Sequence, residues 1–131
     1  MEIKSKTVNT YQASINLGLQ RHYSDDLIPK EEVIQFIQDY QKSRLIKDER
    51  LISVNIFKSS IVCIGQIEPH LVIQIINYPK ADLSHQEIKQ EAVCLAKNLM
   101  HAYNQNRIVV VCTDETILLE KNDALDPKIK K

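Results

Sequence analysis

The chain has 131 residues, room for one domain with a real core and too few for two ordinary ones. Its 17 basic residues balance 17 acidic ones, which argues against a general binder of DNA or RNA polymers, because that role needs a basic face to displace counterions. No apolar run approaches the roughly 20 residues that cross a bilayer, and the first residues lack a signal-peptide apolar core, so a soluble, cytoplasmic protein with no membrane partner is expected.

In chain order, residues 11–19 alternate between apolar and polar or small side chains. Tyr11, Ala13, Ile15, Leu17 and Leu19 fall on one side and Gln12, Ser14, Asn16 and Gly18 on the other, the pattern of a strand with one buried face. A polar loop follows. Pro29 suits the first position of a helix, where its missing N–H costs nothing. That helix is expected to reach about residue 44, with Val33, Phe36, Ile37 and Tyr40 on one face and no good N-cap side chain.

Residues 51–59 read as a second strand. Residues 61–67 and 71–78 read as a hairpin around Glu68, Pro69 and His70, and Pro79 ends its second strand. Ser84 and Glu87 form a capping box, in which each side chain bonds a free backbone N–H of the other. The stripe Ile88, Ala92, Leu95, Ala96, Leu99 and Tyr103 continues this second helix. Residues 108–112 then form a strand that is apolar on both faces, with Arg107 at its far end, and a polar turn leads into a last strand ending at Glu120.

The expected order is β-α-β-β-β-α-β-β. It describes an α+β fold, a single mainly antiparallel sheet of about six strands with two amphipathic helices on one face. Residues 1–120 form the domain and residues 121–131 a charged tail. A strand apolar on both faces belongs at the sheet centre and wants cover on both sides, which a partner subunit would supply.

Cys63, Cys94 and Cys112 all lie in apolar runs. An odd count without C-x-x-C fits reduced, buried thiols better than disulfides. The four histidines show no metal-ligand spacing. With only Gly18 and Gly65, neither a P-loop nor a dinucleotide fingerprint exists, and no cofactor is implied. A phosphate would have to be gripped by Arg, whose fork matches its geometry. Arg21 and Arg107 border strands and are the better anchors of the four Arg. Tyr23 and Tyr78 offer stacking surfaces near strand ends, and Asp114 can accept from an amino or hydroxyl group. An enzymatic alternative is a small hydrolase or isomerase acting on a nucleotide or other small anion, with Asp114 or Glu115 as general base near Cys112 or Tyr78. A third reading is an interaction module that pairs through an exposed strand.

Three segments together carry a family likeness: Leu17-Gly18-Leu19-Gln20 with Tyr23, Ile75-Ile76-Asn77-Tyr78-Pro79, and Gln105-Asn106-Arg107 followed by Val110, Val111, Asp114, Glu115, Thr116, Leu119 and Glu120. Over residues 11–120 the chain resembles the first family of Thoeris anti-defence proteins. The resemblance implies a phage protein that is not an enzyme. It would sequester a cyclic ADP-ribose isomer, or a related cyclic nucleotide, without cleaving it and so block TIR-based bacterial immunity. It implies a homo-oligomer, a dimer or larger, with pockets between protomers. Tyr23, Tyr78, Arg107, Asp114 and Thr116 fall within the matching segments, and Arg21 joins them as a second phosphate anchor.

Overall fold

The clean alternation of residues 11–19 becomes β1 (Gln12–Gly18), the middle strand of one antiparallel sheet. The computed structural model describes residues 1–21 and 25–122. The other strands are β2 (Val54–Cys63), β3 (Gln66–Ile76), β4 (Arg107–Cys112) and β5 (Thr116–Glu120), in the spatial order β2-β3-β1-β4-β5. Helices α1 (Lys30–Asp48) and α2 (His85–Ala102) complete an α+β fold.

There are five strands, one fewer than expected, and the order is β-α-β-β-α-β-β. The difference lies between residues 51 and 78. The chain does not reverse at Pro69. It reverses at Ile64 and Gly65, closed by the Cys63↔Gln66 pair, with Gly65 at φ 79°, where a side chain is disfavoured. Two long strands result. Pro69 stays inside β3 because its carbonyl points toward β1 and accepts from Leu19 N–H at 2.9 Å. A strand residue's N–H lies on the same edge as its C=O, so the missing donor faces the end of β1 and removes nothing from the β2 ladder.

One sheet face carries Ala13, Ile15 and Leu17 of β1, Leu71, Ile73 and Ile75 of β3, and Ile108, Val110 and Cys112 of β4, all buried. Register aligns Ile73, Ile15 and Val110 in one cross-strand row. Helix α2 covers this face with Ile88, Ala92, Leu95, Ala96 and Leu99. Its start is the expected capping box: Glu87 N–H donates to Ser84 Oγ at 3.1 Å, and Ser84 N–H donates to Glu87 Oε1 at 2.9 Å. Ser84→Ala is expected to cost about 1 kcal/mol. Thermal denaturation measures this, and an unchanged midpoint would show that the helix start is held by packing alone.

Helix α1 starts after Pro29, which is the N-cap itself and offers no side-chain bond. It runs to Asp48, four residues past the expected end, and closes at Glu49 in the left-handed conformation (φ 54°). The extra turn matters because Arg44 and, beyond the helix, Arg50 reach Glu91 of α2. Glu91 is the one fully buried acid among the described residues, 1% exposed. Arg44 Nη2 bonds it at 2.6 Å, Arg50 Nη1 at 2.9 Å, and Tyr40 Oη at 2.9 Å.

Two further expectations change. β4 is not central; it lies one strand from the edge, and Val111 on its outer face is exposed. Cys63 and Cys94 are exposed, and only Cys112 is buried. No helix among the described residues is long and apolar enough to cross a membrane.

Candidate functional site

The sheet face turned away from the helices is built in rows fixed by register. Asn55, Gln74, Ser14, Val111 and Thr116 form a mostly polar row, in which Gln74 Nε2 donates to Ser14 Oγ at 3.0 Å. Phe57, Val72, Asn16, Val109 and Leu118 form a mostly apolar one. Ser59, His70 and Gly18 form the third, and the Ile61↔Glu68 pair lies beyond it. A cavity of about 480 Å³ opens over these rows, with Val109 and Leu118 as apolar floor and Glu68, His70, Gln105 and Arg107 at its polar end. That volume lies in the range of about 300–1,000 Å³ typical of small-molecule sites.

The polar end is organised around Glu68. Its Oε1 lies 2.9 Å from His70 Nε2, and its Oε2 accepts from Gln66 Nε2 at 2.5 Å. The carboxylate is drawn over Gly18, and a Cβ there would come within 2.3 Å of Glu68 Oε1. Gly18 is therefore the residue that lets an acid lie flat on the sheet at this point. Gln105, nearly buried, is held by bonds from its amide to the carbonyls of Gln20 and Tyr103.

The residues singled out from the sequence separate to two ends of the sheet. Arg107 borders the cavity, but its Nε donates to Glu120 Oε2 at 2.7 Å, so its charge is already paired. Arg21 bonds Asp26 at 3.2 Å and Glu32 at 3.6 Å, tying its loop to α1. Asp114, Thr116 and Tyr78 lie at the opposite end. Asp114 accepts from Tyr11 Oη at 2.9 Å and Lys89 Nζ at 3.0 Å, and these bonds, Lys89 first, hold its carboxyl below its ordinary range. Burial, followed by the bond to Asp114, pushes the Tyr11 hydroxyl far above its ordinary value. Tyr78 is exposed in the turn after β3, and Thr116 is exposed on the open face. Tyr23 lies outside the described residues.

Glu68, His70, Gln66 and Ser59 were not expected at a site. The signal was present: Gln66, Glu68 and His70 stand at every second position, between Ile67, Pro69 and Leu71. Three polar residues at that spacing share one face of a strand. Reading Pro69 as a turn hid it.

No protein-family model and no curated protein matches the chain. Two solved structures share its fold. A phage SAM lyase in complex with S-methyl-5'-thioadenosine aligns with a TM-score of 0.65 at 16% identity, covering 92% of this chain and 96% of that one. A phage SAM lyase in the apo state aligns with a TM-score of 0.65 at 16% identity, covering 95% and 100%. At that identity the likeness shows the fold. It also corrects the expectation of a non-cleaving cyclic ADP-ribose sponge that is not an enzyme: these structures are enzymes, and neither is a Thoeris anti-defence protein.

Proposed function

We propose that the chain is a lyase that cleaves S-adenosylmethionine and releases S-methyl-5'-thioadenosine. The observation that carries this reading is the cavity on the open sheet face, where a carboxylate fixed by two donors adjoins an apolar floor. The shared fold with a phage SAM lyase supports it.

The chemistry follows from what each part of the ligand keeps or loses. S-methyl-5'-thioadenosine is S-adenosylmethionine without its four-carbon amino-acid arm, so the bond that breaks joins sulfur to Cγ of that arm. Sulfur takes the electron pair and loses its positive charge. The arm's own carboxylate oxygen forms the new bond to Cγ, closing a lactone, and no proton moves. This step annihilates two charges. A floor of Val109 and Leu118 hydrates the zwitterionic reactant poorly and so favours the less polar transition state.

A carboxylate facing the sulfonium would do the reverse, holding the charged reactant more tightly than the transition state. Glu68 therefore serves a group unchanged by the reaction, the ribose diol. A carboxylate has about four acceptor positions. His70 and Gln66 occupy one on each oxygen, which leaves one on each for two vicinal hydroxyls.

Incubation with S-adenosylmethionine and chromatography of the products tests the reading. The expected result is S-methyl-5'-thioadenosine with an equal amount of the amino-acid lactone. S-adenosylhomocysteine would mean methyl transfer instead, and unchanged S-adenosylmethionine would remove the lyase assignment.

A further inference from the structure

Among the described residues, two side-chain polar atoms are buried without a hydrogen-bond partner: Ser59 Oγ and, on a residue that lines the cavity, His70 Nδ1. They are not scattered. Ser59 and His70 are directly opposed on β2 and β3, so their side chains leave the same face of the sheet, with Cβ atoms about 5 Å apart. A buried polar atom left unpaired costs stability, and although the two do not bond each other as placed, each supplies the chemistry the other lacks. A serine hydroxyl donates and accepts, so it serves Nδ1 in either protonation form of the ring. On the far side of the same ring, Nε2 faces Glu68 Oε1 at 2.9 Å. A carboxylate only accepts, so Nε2 is the donor.

We infer that Ser59, His70 and Glu68 form one hydrogen-bonded array in which Ser59 and His70 are positioning residues that aim the Glu68 carboxylate at the ribose of the ligand. Ser59 fixes the imidazole plane, the imidazole fixes Oε1, and Gln66 fixes Oε2 from the other side. The carboxylate's remaining acceptor positions then point into the cavity before any ligand arrives. Without Ser59 the ring is free to turn, its Nε2–H swings off Oε1, and the carboxylate loosens over Gly18. The ligand named here rests on the lyase reading; the array itself rests on the strand register and the two unpartnered atoms.

The ribose is held equally in the reactant and the transition state. Loss of its aim should therefore raise KM and leave kcat in place. Ser59→Ala is expected to raise the KM for S-adenosylmethionine about tenfold with kcat within about twofold of the parent. Ser59→Thr, which keeps the hydroxyl and suits a strand, should restore the parent KM. Nitrogen-15 spectra of the ligand-free protein should show a slowly exchanging hydrogen on His70 Nε2 that exchanges faster in Ser59→Ala. A parent KM in Ser59→Ala, a fall in kcat alone, or a His70 Nε2 without hydrogen would overturn the array. If the protein leaves S-adenosylmethionine intact, the lyase reading fails by itself, and the His70 spectra still decide whether the array exists.

Discussion

Glu91→Ala is expected to destabilise the fold by about 3–5 kcal/mol, the usual cost of removing one partner from a buried ion network. The size follows from what would be left behind. Glu91 is 1% exposed, and the guanidinium groups of Arg44 and Arg50 and the hydroxyl of Tyr40 converge on it. Without the carboxylate, the guanidinium groups of Arg44 (22% exposed) and Arg50 (25% exposed) lose the buried anion they share and keep only Asp48 and Glu87 as partners. Urea denaturation measures the change, and a loss below about 1 kcal/mol would show that the arginines find solvent at little cost. Replacing Glu91, Arg44 and Arg50 together by methionine should recover much of the loss, because no uncompensated charge then remains.

The same group sets an acid limit. Burial alone would raise the Glu91 pKa, but the bonds from Arg44, Tyr40 and Arg50 overcome it and hold the carboxyl below its ordinary value of 4.5. A carboxyl with a depressed folded-state pKa stabilises the fold fully above the unfolded value. That contribution is lost as pH falls from about 4.5 through the lower folded-state pKa. Acid unfolding of the Glu91→Gln variant should accordingly be less steep than that of the parent over this interval.

How far the sequence was legible depends on the range of the forces involved. The alternation at residues 11–19 and the Ser84–Glu87 capping box are local signals, and both stand in the structure as read. The spacing of α2 does put Glu91 on the buried stripe, three residues after Ile88 and four before Leu95, but its partners are 41 to 51 residues away, so the network itself was not legible. Residues 51–78 were misread for a different reason. Pro69 is normally a break, and it is harmless here because its carbonyl still accepts from Leu19 N–H while the Leu19 carbonyl accepts from Ile28 N–H and does not depend on the missing donor. A turn at Pro69 would make Glu68 and His70 loop residues, and that reading conceals the strand face they share. Of the candidates read from the sequence, Arg107 lines the cavity with Glu68, whereas Asp114, Thr116 and Tyr78 lie at the opposite end.

Gly18→Ala is expected to lower kcat/KM for S-adenosylmethionine about a hundredfold while changing stability by less than about 1 kcal/mol. The two effects separate because of what the new methyl group meets. Gly18 lies in a regular strand, paired with His70, and its backbone is not in the left-handed region, so alanine takes the same conformation without strain. The added Cβ would stand 2.3 Å from Glu68 Oε1 and 3.5 Å from Glu68 Cδ. The strands are locked by their ladder, so the carboxylate must give way. It can move only by leaving His70 at 2.9 Å or Gln66 at 2.5 Å, and a displacement of about 1 Å in a positioning group is enough for a loss of that size. Folding is spared because the group that moves borders the cavity and takes no part in the core. Gln105 Oε1, at 3.4 Å from the Cβ, is only at the limit of ordinary contact, so the effect is carried by Glu68, and a double-mutant cycle checks this directly. In a Glu68→Ala background, Gly18→Ala should add no further loss, since the atom it collides with is gone. Equal losses in both backgrounds would mean that the methyl group blocks the ligand itself, and full activity in Gly18→Ala would mean that the carboxylate over Gly18 does not contribute to the reaction.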